Sequence, residues 1–228
     1  MAAAKCYTLN VDLLLHPADD PDRHRPDPRG RLSTVGHGAA FRAFARMAKR
    51  AGIRFMVIGG TYRDVAVRAA STRDIDVVLI DRQDLPEELM RTAGFERVLR
   101  SRHAWRYTAG HRQVDLEIAA VASSGMSTGP FSAAFRHAKI AVIEGVKVAV
   151  PRIEDYVILK LLAAASDRHR RARDLADVQY ALESFPKQCG STLSIAALRA
   201  RLRDVYGTSG QQLKGLVALL RQVPRPHD

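Results

Sequence analysis

Two short apolar runs, each bounded by residues foreign to a hydrophobic core, constrain this chain more than any other feature. Phe55-Met56-Val57-Ile58 runs into Gly59-Gly60, and after thirteen further residues Asp74-Ile75-Asp76 opens a second run, Val77-Val78-Leu79-Ile80. Runs of this length bounded by turn residues read as buried strands. A strand sends residues i and i+2 to the same face, so Asp74 and Asp76 should project together from one sheet surface. Carboxylates that close repel unless a cation stands between them. Magnesium suits the position: it takes hard oxygen ligands and is commonly held by one or two carboxylates together with substrate phosphates. The glycine pair allows the close backbone approach that a phosphate-cradling turn needs. Together the two runs read as a site for a nucleoside triphosphate and Mg2+. Either alone would pass for an ordinary turn or for solvent-facing alternation.

The order and spacing, with Thr61 beside the glycines, resemble the signature of the nucleotidyltransferase superfamily, the polymerase-beta-like fold. That resemblance implies an α+β chain with a mixed sheet flanked by helices. Other phosphate motifs are excluded: no Gly-Lys-Ser/Thr follows the glycines, and no Gly-x-Gly-x-x-Gly marks a dinucleotide turn.

The 228 residues carry a formal charge of +12, which points to a polyanionic partner, nucleic acid first. Cys6 and Cys189 lie in no paired motif, which suggests a reducing compartment and excludes a cysteine zinc cluster. Asp12, Asp19 and Asp20 interrupt any signal-peptide layout, and no apolar run approaches a membrane span. A cytoplasmic protein with no membrane partner is expected.

Along the chain, residues 1–35 read as a short strand and a flexible segment with four prolines between His16 and Arg31, residues 36–150 as the catalytic core, and residues 151–228 as a helical subdomain. Ala39, Phe41, Phe44, Ala45 and Met47 recur at helical spacing up to Lys49, and Gly52 ends that helix. Short helices are expected over Arg63–Ala70 and Pro86–Thr92. Arg97 to Arg112 contains five arginines and no acid, with Trp105 and Tyr107 interleaved. It reads as a strand and a turn at Ala109-Gly110. Its arginines suit phosphate contact and its aromatics base stacking, or else it is a solvated sheet face with Trp105 in the core. Arg100, Arg102 and Arg106 are RNA-contact candidates on this segment.

The next strand, Val114-Asp115-Leu116-Glu117-Ile118, opens on an acid as the Asp74 strand does. Phosphoryl transfer with two metal ions commonly needs a third carboxylate, to ligate the second ion or to take the acceptor's proton. Asp115 is the candidate, with Glu117, which points the same way, in reserve. Residues 121–135 read as loop, and Ala141–Ile143 with Val146–Val150 as a hairpin through Glu144-Gly145. Pro151, Glu154 and Asp155 suit a helix start. The run Tyr156 to Ala165 is apolar except for Lys160, whose charge either snorkels to water or meets something anionic, with phosphates in the site the favoured reading. Asp174 and Asp177 share a helix face within reach of Arg170 or Arg171. Arg168, Arg170 and Arg173 extend the RNA-contact set. Two amphipathic helices follow, around Leu198 and between Leu213 and Leu220.

Gly59-Gly60, Asp74-x-Asp76, Val114-Asp115, Lys160-x-x-x-Ala164 and Arg173-Asp174-Leu175-x-Asp177 together resemble the AbiEii/MenT-type nucleotidyltransferases, toxins of type IV-style toxin–antitoxin pairs, over roughly residues 36–185. The resemblance implies that Asp74 and Asp76, with Asp115, hold Mg2+, that Gly59, Gly60, Thr61 and Thr72 lie at the nucleotide, that Lys160 grips the triphosphate, and that Asp174 is a further essential acid. It implies an NTP substrate, a tRNA acceptor and a cognate antitoxin protein. Gly59-Gly60-Thr61-Tyr62-Arg63-Asp64 also resembles the opening of CCA-adding tRNA nucleotidyltransferases, whose chains are far longer. A small antibiotic-modifying nucleotidyltransferase and a degenerate fold serving as an RNA- or partner-binding module are the competing readings.

Overall fold

A computed structural model describes residues 34–67, 72, 74–99, 101, 103–120, 129–189 and 193–223. The expected N-terminal strand and Pro-rich segment, and the candidates Arg100 and Arg102, lie outside the described residues.

Seven strands form one mixed sheet in the order β3-β4-β5-β2-β1-β7-β6. They are β1 (Phe55–Val57), β2 (Asp74–Leu79), β3 (Phe95–Arg97), β4 (Ala104–Ala109), β5 (Arg112–Ala120), β6 (Lys139–Ile143) and β7 (Val146–Val150). The helices are α1 (Thr34–Arg50), α2 (Gly59–Ala66), α3 (Glu87–Thr92), α4 (Pro130–Arg136), α5 (Ile153–Ser166), α6 (Arg171–Cys189), α7 (Ile195–Asp204) and α8 (Gly210–Gln222). The α+β architecture with a mixed sheet is the one expected. Two local readings are corrected. Residues 130–135, the end of the stretch read as loop, belong to α4, because Pro130 at the first turn and the apolar Phe131, Ala133 and Ala134 outweigh the small residues around them. The helix expected over Arg63–Ala70 begins at Gly59, so the glycine pair is the first turn of α2 rather than a loop ahead of it.

Alternation along β2 divides the sheet. Ile75, Val77 and Leu79 point to one face and join Leu116, Trp105, Phe95 and the α1 residues Phe41 and Phe44 in a continuous core. That core also takes in Tyr156 and Leu161 of α5, Leu198 and Leu202 of α7, and Leu216 and Leu220 of α8. On the other face Val78 and Met56 pack with Ala134, Phe131 and Leu159. Asp74 and Asp76 share that second face, at the end of β2 that this small cluster does not reach.

One buried ion pair fastens the C-terminal helices. Asp155 of α5 is fully buried, takes Arg201 Nε and Nη2 at 2.8 and 2.7 Å, and accepts the Tyr206 hydroxyl at 2.8 Å. A buried carboxylate is tolerated only when met in this way. Among the described residues no helix is long and apolar enough to cross a membrane.

Candidate active site

The parallel pairing of β2 with β5 assembles the acids. Asp74 lies opposite Asp115, and Asp76 opposite Glu117. Paired residues on neighbouring strands point to the same face and stand about 5 Å apart, so four carboxylates share one patch, as the sequence implied for the first three.

What holds each one differs. Asp76 Oδ2 accepts the Gly60 N–H at 2.8 Å. Gly59, at φ +59°, lies so close that a Cβ there would stand 2.0 Å from the same oxygen. Only glycine fits, so the first turn of α2 is built against a carboxylate. The backbone carbonyl of Asp74 accepts the hydroxyls of Thr61 at 3.4 Å and Thr72 at 3.2 Å, and lies 3.4 Å from His37 Nε2 of α1. Thr61 is buried, and Thr72 packs against Gly60, where a Cβ would meet its Oγ1 at 2.5 Å. Both threonines, expected at the nucleotide, therefore frame the acid-bearing strand. Burial lowers the proton affinity of His37 below its usual value, while the Asp74 carbonyl and the charges of Glu144, Asp74 and Asp76 oppose the shift.

Asp115 and Glu117 differ in what lies across β4. Arg106 is the β4 partner of Asp115 and grips it with two bonds, Nε to Oδ1 at 2.7 Å and Nη2 to Oδ2 at 3.0 Å. The β4 partner of Glu117 is Ala104, which has no charge to offer. Partial burial, then the negative charges of Asp76 and Asp74, raise the proton affinity of Glu117, and Arg170 works against them. Glu117, held in reserve by the sequence reading, is thus the carboxylate coupled to the Asp74–Asp76 pair, and Asp115 is neutralised by an arginine.

Of the two readings of the arginine–aromatic ribbon, the packing favours the sheet face. Trp105 is fully buried, with Arg97 over its ring at 4.4 Å, and Tyr107 packs on Phe95 at 5.1 Å. Arg97 is engaged by Asp84 at 3.3 Å, and Arg106 by Asp115. This segment is a sheet face with its tryptophan in the core, and its aromatics are not a stacking platform. Arg168, Arg170 and Arg173, by contrast, are exposed at the turn that enters α6, and the charge of Arg170 reaches Glu117.

Lys160 meets carboxylates of its own chain. Its ammonium is buried 2.9 Å from Asp174 Oδ1 and 2.9 Å from Asp177 Oδ2, both carboxylates fully buried. The i, i+3 spacing on α6 brings the two acids together, and a lysine in an apolar helix finds its counter-charge there.

A divalent cation fits the donor chemistry of the Asp74–Asp76 face. The donors are hard oxygens, Asp76 is held by a backbone N–H rather than a side-chain cation, and Glu117 is already short of positive charge. Among the described residues no cluster of three or more His, Cys, Asp or Glu side chains forms a metal cage. Of the three acids expected to hold the ion, Asp115 is engaged by Arg106. Two carboxylates completed by phosphate and water is the arrangement magnesium usually takes.

No family model matches the chain, and no curated protein matches it. Among solved structures, an antigenic nucleotidyltransferase-like protein from Paracoccidioides brasiliensis is similar, with a TM-score of 0.59 and 17% identity, over 84% of this chain and 89% of that one. The antibiotic-resistance factor ANT(2'')-Ia gives 0.48 and 16%, over 76% of this chain and 94% of that one. The fold is therefore nucleotidyltransferase-like. What the chain does with that fold must be argued from its own residues.

Proposed function

We propose that the protein transfers a nucleoside monophosphate from an NTP to an acceptor hydroxyl with Mg2+. The observation that carries this reading is the shared face of Asp74, Asp76 and Glu117 against the glycine-started amino end of α2. Asp74 and Asp76 would hold the ion, which supplies charge neutralisation along the triphosphate when bound. The positive dipole end of α2, whose Gly60 N–H is already taken by Asp76, favours phosphate oxygens beside that acid. The acceptor oxygen bonds to the α-phosphorus, the bond to the departing pyrophosphate breaks, and Glu117 takes the acceptor proton. The raised proton affinity of Glu117 suits it to that role. Lys160 and Asp174 serve this site from outside it, by holding α5 against α6.

The acceptor is RNA, tRNA first, and the protein is the toxin of a toxin–antitoxin pair restrained by a cognate antitoxin. The net charge of +12 and the exposed arginines 168, 170 and 173, of which Arg170 reaches Glu117, support a polyanionic acceptor, and the AbiEii/MenT resemblance supports tRNA and the toxin role. The surplus of arginine disfavours a cationic drug as acceptor. Incubating the protein with total RNA, Mg2+ and each labelled NTP in turn tests the reaction. Asp76→Ala should fold normally and lose labelling, and undiminished transfer by that variant would overturn the assignment.

A further inference from the structure

The ion cluster around Lys160 continues beyond the α5–α6 pair. Two fully buried carboxylates, Asp174 and Asp177, face one buried ammonium, which leaves charge for a proton or a second cation to balance. Arg170 reaches Asp174 Oδ2 only at 3.7 Å from the surface. Arg63 of α2 reaches Asp177 Oδ1 at 3.8 Å with Nη1. The rest of its guanidinium turns the other way: Nε and Nη2 both donate to Asp64 Oδ1, at 3.1 and 3.0 Å. That leaves Asp64 Oδ2 to accept the Thr72 N–H at 3.0 Å. The Thr72 hydroxyl donates to the Asp74 carbonyl at 3.2 Å, and Thr72 also fills the space above Gly60.

We propose that Arg63 and Asp64 are positioning residues, a relay that ties the α5–α6 pair to Thr72 and thereby sets where Asp74 begins the acid-bearing strand. This rests on the reading of Asp74 as a site acid. The relay gives the charged pair that follows Gly59-Gly60 after Thr61 and Tyr62 a role: α2 carries the phosphate end on its first turn and the strand lock on its second. It also gives Lys160 a reason to be buried, since it balances the carboxylates against which Arg63 is braced.

The test uses the full chain and two readouts. In Asp64→Ala the Thr72 amide loses its acceptor, and its hydrogen exchange, followed by NMR, should quicken about tenfold. In the transfer assay the same variant should lose about tenfold to a hundredfold in kcat with KM for the NTP changed less than about threefold. Asp177→Asn should shift both readouts the same way, and the double variant should be no worse than Asp64→Ala alone. Arg63→Lys, which keeps the charge without the fork, should stand between the parent and Arg63→Ala, and provides the comparison if Asp64→Ala folds poorly. Unchanged Thr72 exchange in Asp64→Ala, additive losses in the double variant, or a loss confined to KM would overturn the relay. Absence of transfer by the parent would instead strike the functional reading, and the exchange measurement would still decide the relay.

Discussion

Alanine at Gly59 should damage the site far more than the fold. A Cβ there would stand 2.0 Å from Asp76 Oδ2 and 2.4 Å from its Cγ. Ordinary contact with a methyl carbon lies near 3.5 Å, so the carboxylate must retreat by more than about 1 Å or α2 must move. A misplacement of about 1 Å costs on the order of a hundredfold in rate, and kcat for NMP transfer should fall at least that far. Separately, alanine at φ +59° is strained. The left-handed conformation costs a non-glycine residue roughly 1–2 kcal/mol, or about 2–8 °C of Tm for a chain this size. Gly52 supplies the control: its φ is +64°, and nothing lies within 4 Å of an added Cβ. Gly52→Ala should therefore show the same loss of Tm and keep its activity. Thermal scans and single-turnover transfer with labelled NTP measure both effects. If Gly59→Ala kept more than about a third of the parental rate, or Gly52→Ala lost activity equally, the tight approach to Asp76 would not be what the site depends on.

Arg201→Ala leaves the buried Asp155 carboxylate without its guanidinium; the expected cost is about 3–5 kcal/mol, a fall of roughly 6–20 °C in Tm. Glu117 binds its proton more tightly in the fold than its ordinary value of 4.5 allows, so the stability that the protonated form contributes is present below that pH and lost as pH rises through the elevated folded value. Without magnesium, Glu117→Gln should match the parent's Tm near pH 4 and exceed it at pH 7; equal values at both would refute the repulsion. For RNA binding, replacing Arg168 and Arg173 together by glutamine should reduce the slope of log affinity against log salt by about 1.4–1.8. An unchanged slope would remove those arginines from the interface.

Much of the frame could be read along the chain, because local periodicity reports it directly. The apolar spacing of Phe41, Phe44 and Ala45 marked α1, the turn at Glu144-Gly145 marked the β6–β7 hairpin, and the i, i+2 acids marked the site face of β2. The chain alone did not decide where one stretch fitted two environments. Arginines alternating with Trp105 and Tyr107 suit a nucleic-acid ribbon and a half-buried strand equally well, and only the packing of Phe95 and Arg97 against those rings decides between them. The small residues around Pro130 hid α4 for the same reason.

The sequence by itself determined which chemical groups are present and which of them share a strand face, because side-chain direction along one strand follows from its period of two. It could not say what stands across the next strand. That Arg106 faces Asp115 while Ala104 faces Glu117 is a matter of β4 register, and that Lys160 meets two aspartates depends on how α5 lies against α6. Burial and the charge of distant neighbours set what an ionisable group does, and both exist only once the chain has folded.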